Sequence, residues 1–258
     1  MNYFILPAFN EKGIGLTIAN LEKFCLEHRI HSKIILVDDG STPKLESYLS
    51  KNLLNNSSLT LIRLNKNIGP GKAFGAGFKF LPTPLDPDDV VVTLEGDGTS
   101  PLNILPEMLD RLSSSVKSYE IALSSPYAIG GSIDNTSLFK KLLSYLANEV
   151  FRNLLNLRGI WTISSFYRAF SGEAVNELRR VYGDSIIVME GFECMVELLW
   201  KSKKIGLTIC EVSSVVDGGT RQGSSKMKIL KTIRGYLRLY VKISMSNEFK
   251  KQVNKKVV

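Results

Sequence analysis

The apolar run Val91-Val92-Thr93-Leu94 stops at Glu95 and Asp97, two carboxylates one residue apart, with Gly98 and Thr99 behind them. A continuous Val/Leu run of this kind reads as a buried strand of a parallel sheet, and ligands of open α/β sheets gather at the carboxyl ends of such strands. Carboxylates at positions i and i+2 of a strand end point the same way. With the Thr99 hydroxyl they offer the hard oxygen donors that Mg²⁺ or Mn²⁺ prefers, phosphate oxygens completing the shell. The chemistry within reach is Lewis-acid stabilisation of charge on a departing phosphate group.

Three earlier strand ends deliver polar groups to the same rim. Tyr3-Phe4-Ile5-Leu6 reads as a first strand that Pro7 closes, with Phe9 following and Asn10-Glu11 starting a helix. Apolar residues at helical spacing fill 15–27, and a second strand over 33–37 ends in Asp38-Asp39-Gly40-Ser41. A third strand over 59–64 leads into Asn65-Lys66-Asn67-Ile68-Gly69-Pro70-Gly71-Lys72, which opens a helix through residue 80. Gly69 and Gly71 would let backbone N–H groups approach a diphosphate, and Lys72 would add a charge. No G-x-G-x-x-G follows the first strand, so this is not the dinucleotide-binding pattern.

The second half begins with a strand over 121–125 and a loop from Pro126 through Tyr127 and Gly131. A helix over 137–157 carries Leu138, Leu142, Leu143, Leu146, Val150, Phe151 and Leu154 in a broad stripe, which reads as core. A late strand over 205–212 precedes the basic turn Arg221-Gln222-Gly223-Ser224-Ser225-Lys226. Beyond it, Ile229, Leu230, Ile233, Leu237, Tyr240 and Val241 share one helical face, with Lys231, Arg234, Arg238 and Lys242 opposite. Such a helix suits an anionic membrane interface, and it suits equally well packing on the domain with its basic face in water.

The order Pro-Ala-Phe-Asn-Glu, Val-Asp-Asp-Gly-Ser, Asn-x-Gly-x-Gly-x-Ala and acid-x-Asp, spread over the first hundred residues, resembles the family 2 glycosyltransferases of the GT-A fold. The resemblance implies an α/β architecture, a mostly parallel central sheet with helices on both faces. It implies that Pro7, Phe9, Glu11 and Asp39 hold the base and ribose of a nucleotide-sugar, with Asn10, Asp38, Gly69, Gly71 and Lys72 around them, and that Glu95, Asp97 and Thr99 hold the metal. The second half resembles the polyprenyl-phosphate sugar synthases within that family, through Tyr127, Gly130, Gly131, Ala147, Asn148, Arg168, Ala169, Arg221, Gly223, Ser225 and Lys226. The chain departs from that pattern at three points: Pro126 and Lys140 stand where arginines are usual, and Glu95 where Asp is.

The activity so implied is inverting transfer of a hexose from a GDP- or UDP-sugar to a polyprenyl phosphate, with Tyr127, Lys140, Arg221, Ser225 and Lys226 on the acceptor side. A rival acceptor is a sugar hydroxyl in surface polysaccharide synthesis, and a rival of another class is a sugar-nucleotide-binding homologue without catalysis. A hydroxyl needs a general base, and Glu190, with Glu193 behind it, stands where many relatives carry one. A phosphate monoester is already ionised at neutral pH, and both acids are then ordinary residues at a helix start, where acids favour the dipole. Asp97, Glu190, Arg221 and Lys226 are the expected catalytic set.

At 258 residues and a formal charge of +8, the chain can bury one sizeable core and favours anionic partners. Residues 1–225 are expected to form the transferase domain, and 226–258 a basic amphipathic helix and tail. Cys25, Cys194 and Cys210 read as small buried hydrophobes rather than disulfides or a zinc site, and His28 and His31 as exposed residues ending a helix. No apolar run is long enough to span a membrane and no signal peptide is evident, so a cytoplasmic protein at the cytosolic face of a membrane is expected. The expected partners are the nucleotide-sugar, a lipid phosphate, and an anionic membrane surface or a membrane-spanning protein, and not nucleic acid.

Overall fold

In the computed structural model, seven strands form one mixed sheet. The structure describes residues 1–113, 118–219 and 229–245, without the side chains of 139, 140, 143 and 229–231. In chain order the elements are β1 (Asn2–Ala8), α1 (Ile14–Glu27), β2 (Ser32–Asp38), α2 (Lys51–Leu54), β3 (Leu59–Arg63), α3 (Pro70–Phe80), β4 (Val90–Thr93) and α4 (Leu105–Ser113). They continue with β5 (Ile121–Ser125), β6 (Ser132–Asp134), α5 (Leu138–Leu154), β7 (Arg168–Ser171), α6 (Gly172–Tyr182), α7 (Cys194–Lys204), β8 (Ile209–Ser213), β9 (Val215–Asp217) and α8 (Ile229–Met245).

The sheet order is β3-β2-β1-β4-β7-β5-β8. β1 pairs in parallel with β2 and β4, as do β2 with β3 and β5 with β8, while β7 runs antiparallel between β4 and β5. Two reversals across β7 restore the direction, so β1, β2, β4 and β5 all present their carboxyl ends at one edge. That edge collects the predicted polar residues.

Alternation along the strands makes two cores. Tyr3 and Ile5 of β1 face the larger one, with Phe74 and Phe78 of α3, Val175 of α6, Leu198 of α7 and Tyr236, Leu239 and Ile243 of α8. Phe4 and Leu6 face the other, built with Ile14, Ile18 and Leu21 of α1 and Met108 of α4. Helices cover both faces as expected.

Several boundaries differ from the sequence reading. Pro7 does not close β1: it pairs with Val37 and the strand runs to Ala8. Pairing with β4 ends at Ile5, and Ile5 and Pro7 turn the same way, so the N–H that proline lacks faces no ladder partner. Asn10 does not start the helix; it adopts φ +49° in a turn, and α1 begins at Ile14. The last strand of the sheet begins at Ile209, since 205–208 close α7.

The stripe on α5 is the largest departure. Phe151 of the stripe is buried as expected, as is Leu155 beyond it, and the side chain of Leu143 lies outside the described residues, but Leu138, Leu142, Leu146, Val150 and Leu154 are exposed. On α8 the buried face is Thr232, Tyr236, Leu239 and Ile243, so Leu237 and Val241, expected on the apolar face, lie outside with Arg234, Arg238 and Lys242. Cys25 and Cys194 are buried, Cys210 is half-buried, and all three are free. Both histidines are exposed.

Candidate active site

The loops that leave β1, β2 and β3 are tied to one another by hydrogen bonds. Asp39 N–H donates to Ala8 O at 2.9 Å, Asn10 N–H donates to Ser41 Oγ at 2.9 Å, and Thr42 N–H donates to Asn10 Oδ1 at 2.8 Å. Asp39 is buried, and its two oxygens accept the N–H groups of Ile68 and Gly69, each at 2.9 Å. Burial pushes the Asp39 carboxyl above its ordinary value, and those two donors pull it back in part. Asp39 therefore joins the β2 end to the turn before α3. Phe9 is half-buried and Glu11 buried on the same rim, Pro7 is half-buried, and Asn10 is exposed.

Asp38 does not stand on the rim. It is fully buried, ion-paired with Arg63 at 2.5 Å, and accepts Ser41 N–H at 2.7 Å, partners that hold the β2 end in place. A buried carboxylate needs this satisfaction to remain charged. The same geometry revises the glycine turn. Gly71 N–H donates to Glu190 O at 2.8 Å, and a Cβ on Gly71 would run into Met189 O, so that the glycine admits a neighbouring backbone. The N–H groups of Ile68, Gly69 and Gly71, expected to cradle a diphosphate, are engaged within the protein, while Lys72 stays half-buried in the first turn of α3.

Beyond β4 the chain turns against the end of β1. A Cβ on Gly96 would lie 2.8 Å from Pro7 O and 3.0 Å from Ala8 Cβ, which is why a glycine separates the two acids. Glu95 Oε2 accepts the Ser100 hydroxyl at 2.5 Å, and Asp97 Oδ1 accepts the Thr99 hydroxyl at 2.6 Å. Glu95 and Asp97 are half-buried and line a cleft of about 290 Å³ with Leu16, Thr17 and Asn20 of α1. Thr99 thus orients Asp97. Among the described residues no set of three or more acidic, His or Cys side chains is arranged to hold a metal ion by itself. Two carboxylates on one loop fit a divalent ion whose shell is completed by phosphate oxygens, as Mg²⁺ sites commonly are.

The Glu190 segment is positioned by groups the sequence reading missed. Glu197 of α7 is buried, and its Oε2 accepts Val188 N–H at 2.9 Å and Met189 N–H at 2.8 Å. Its Oε1 pairs with Lys201 Nζ at 2.6 Å, and that ammonium also donates to Ser185 O and Ile186 O at 2.6 and 3.1 Å. Glu190 follows this clamp with its side chain exposed, while Glu193 is buried beside Gly191 and Gly235. An acid and a lysine four apart on a helix ordinarily read as a solvated pair, so nothing in the sequence marked Glu197 and Lys201.

Arg168 is also structural. It is fully buried, donating to Ser165 O at 2.8 Å, Met195 O at 2.7 Å and Ile163 O at 2.9 Å, and burial lowers its guanidinium to about 10, so it keeps its charge at neutral pH. Asn148 binds the same loop, accepting Ile163 N–H at 2.9 Å and donating to Trp161 O, while Glu211 of β8 accepts Trp161 and Thr162 N–H at 2.7 Å. Tyr127 is half-buried and donates to Ser144 Oγ of α5 at 2.9 Å; Lys140 lies in the first turn of α5. Arg221, Ser225 and Lys226 lie outside the described residues. The short parallel pair β6 and β9, too brief to leave a sequence pattern, ties the loop after Tyr127 to the segment ending at Asp217.

This arrangement has relatives. The chain is 26% identical over 210 residues to an undecaprenyl-phosphate mannosyltransferase of Micrococcus luteus, covering 81% of this chain and 80% of that protein. It is 29% identical over 213 residues to a polyprenol monophosphomannose synthase of Mycolicibacterium smegmatis, covering 81% and 74%. A dolichol-phosphate mannosyltransferase of Pyrococcus furiosus is 28% identical over 247 residues, covering 91% of this chain and 61% of that longer protein. Among solved structures, glucosyl-3-phosphoglycerate synthase of Mycobacterium tuberculosis with Mn²⁺ and UDP shares the fold with TM-score 0.61 at 15% identity, covering 93% of this chain and 77% of that one. The family 2 glycosyl transferase profile matches residues 3–179, and the chain belongs to that family.

Proposed function

We propose that this transferase moves a hexose, with inversion, from a GDP- or UDP-sugar to a polyprenyl phosphate, using Mg²⁺ or Mn²⁺. The observation that carries the acceptor is the agreement of the three relatives, whose names all specify a polyprenyl, undecaprenyl or dolichol phosphate. The donor and metal rest on the rim, where the Glu95–Asp97 turn meets the end of β1, and a related fold is solved with Mn²⁺ and UDP. A divalent ion held by Glu95 and Asp97 supplies Lewis-acid stabilisation of the leaving diphosphate.

In this reading Phe9, Glu11 and Asp39 hold the nucleoside, with Pro7, Asn10, Gly69, Gly71 and Lys72 shaping the rim around it. Thr99 keeps Asp97 in register. Arg221, Ser225 and Lys226 receive the acceptor phosphate, with Tyr127 and Lys140 beside it, because a guanidinium fork, a hydroxyl and an ammonium are what phosphate recognition uses. An ionised phosphate oxygen attacks the anomeric carbon without a base, which leaves Glu190 no proton to take. The work is expected at the cytosolic face of a membrane.

The exposed Glu190 carboxylate on a pinned backbone supports a second reading, transfer to a sugar hydroxyl. Two variants part the readings when transfer of labelled hexose from the nucleotide-sugar to all acceptors of a crude membrane fraction is followed. Arg221→Ala is expected to cost transfer about 2–5 kcal/mol, the range for truncating one partner of a close charge pair, while nucleoside-diphosphate binding is retained. Full transfer by Arg221→Ala together with its loss in Glu190→Gln would make the acceptor a hydroxyl.

A further inference from the structure

We infer that Glu197, paired with Lys201 inside α7, is a positioning residue for the nucleotide-sugar, setting the place of Asp39 through the 188–190 backbone and the turn before α3. The inference rests on the donor reading above, in which Asp39 holds the nucleoside.

Stability alone does not call for this pair, because desolvating two charges offsets much of their attraction. Its bonds show what it acts on. Among the described residues, the two side chains hydrogen-bond only each other and the backbone of 185–189: Glu197 accepts the Val188 and Met189 N–H groups, and the Lys201 ammonium donates to Ser185 O and Ile186 O. Residues 186–193 belong to no helix or strand, so their backbone has no ladder of its own to satisfy it or fix its register. Ile186, Ile187 and Met189 pack into the larger core, but apolar burial has no direction. Two N–H groups on one buried carboxylate oxygen supply the direction.

From this anchored stretch the contact with α3 is backbone on backbone. Glu190 O accepts Gly71 N–H at 2.8 Å, a Cβ on Gly71 would run into Met189 O, and one on Gly69 would run into Glu190 O. Packing this close leaves no side chain between the two segments to absorb a shift. Gly69, at φ +121°, and Ile68 before it donate their N–H groups to the two Asp39 oxygens, each at 2.9 Å. A displaced 188–190 stretch therefore moves the turn, and the turn moves the Asp39 carboxylate. The contacts run from Lys201 through Glu197, Met189–Glu190 and Gly71–Gly69 to Asp39 without a break.

The test titrates the whole chain with UDP and with GDP in the presence of Mn²⁺, at a temperature where circular dichroism shows every variant folded. Glu197→Asp keeps the charge beside Lys201 but withdraws it from the two N–H groups by one methylene, and should weaken binding of the nucleotide that wild-type chain takes up by about tenfold or more. In the labelled-hexose assay its KM for nucleotide-sugar should rise by a similar factor with kcat within about threefold of wild type, the pattern of lost uniform binding. Glu197→Gln, left with one acceptor oxygen for partners that now occupy two, serves if Glu197→Asp does not fold and should weaken binding in the same direction. Leu239→Ala, a core variant outside this run of contacts, should bind the nucleotide as wild type does. Folded Glu197 variants with wild-type affinity overturn the inference, as does an equal loss in Leu239→Ala. A fall in kcat at unchanged affinity also overturns it, since the pair would then serve the Glu190 side chain instead. Wild-type chain that binds neither nucleotide overturns the donor reading itself, and the inference with it.

Discussion

Two acids of this rim, Asp97 half-buried and Asp39 buried, are held by different partners, and each makes a distinct prediction. Asp97 has its carboxylate oriented by Thr99 at the mouth of a cleft, so Asp97→Asn removes one charge without opening the core. Turnover is expected to vanish in Asp97→Asn and in wild-type enzyme with excess EDTA, while urea unfolding without metal is unchanged. Undiminished activity under chelation would sink the metal assignment. Asp39 is buried, and burial raises its carboxyl. A carboxyl raised in the folded state binds its proton more tightly there than in the unfolded chain, so this group draws stability down as pH climbs from the unfolded pKa through the folded one. Asp39→Asn also sets an amide NH₂ against one of the two N–H donors, a loss of about 1–3 kcal/mol at neutral pH. The variant should be the less stable at every pH, with a gap that narrows as pH rises through the acid range. Urea titrations across that range check it, and a gap that widens with pH contradicts the burial account.

Among the elements, what could be read from sequence was periodicity and strand-end chemistry. The strands ending at Asp38 and before Glu95, and the α3 start at Pro70, come from local pattern and agree with the structure to within a residue or so. Partners were not legible. Nothing local distinguishes Asp38, whose oxygens go to Arg63 and the 41–45 backbone, from Asp39, which turns to the α3 loop, although they are adjacent. The α5 stripe has the period of a core helix, and period alone does not say whether another element will cover it. The glycines before α3 read as a phosphate cradle because a diphosphate and a neighbouring backbone both require a missing Cβ; here the Met189 and Glu190 backbone fills that space. Gly71→Ala should therefore push the 189–191 segment off α3 and destabilise the fold by about 1–3 kcal/mol, the usual cost of overpacking. Activity should fall further than stability, since Glu190 moves with it. The clamp on the other side of that segment gives a larger effect: Lys201→Ala leaves the buried Glu197 carboxylate without its counter-charge, at a cost of about 3–5 kcal/mol by urea unfolding.

Across the whole molecule, the C-terminal helix decides how the chain is divided. A boundary near residue 225 treats α8 as an appendage, yet Tyr236, Leu239 and Ile243 are 6, 2 and 4% exposed and belong to the larger core with α3, α6 and α7. Gly235 is flush against the Glu193 carboxylate, where a Cβ would run into Glu193 Oε2, so α8 also closes over the segment that carries Glu190. Burying three such side chains is worth about 1.5–3 kcal/mol each, several kcal/mol together, against total stabilities of about 5–15 kcal/mol for single domains. A chain cut after residue 228 is therefore expected to lose its cooperative transition rather than melt as an intact domain. The point variant Leu239→Ala separates this from truncation artefacts. If α8 shares the core, the variant lowers global stability by about 2–5 kcal/mol and shifts far-ultraviolet and tryptophan-fluorescence transitions together, because Trp200 of α7 lies in the same core. If α8 were an independent helix resting on the surface, Leu239→Ala would leave the Trp200 transition where it was.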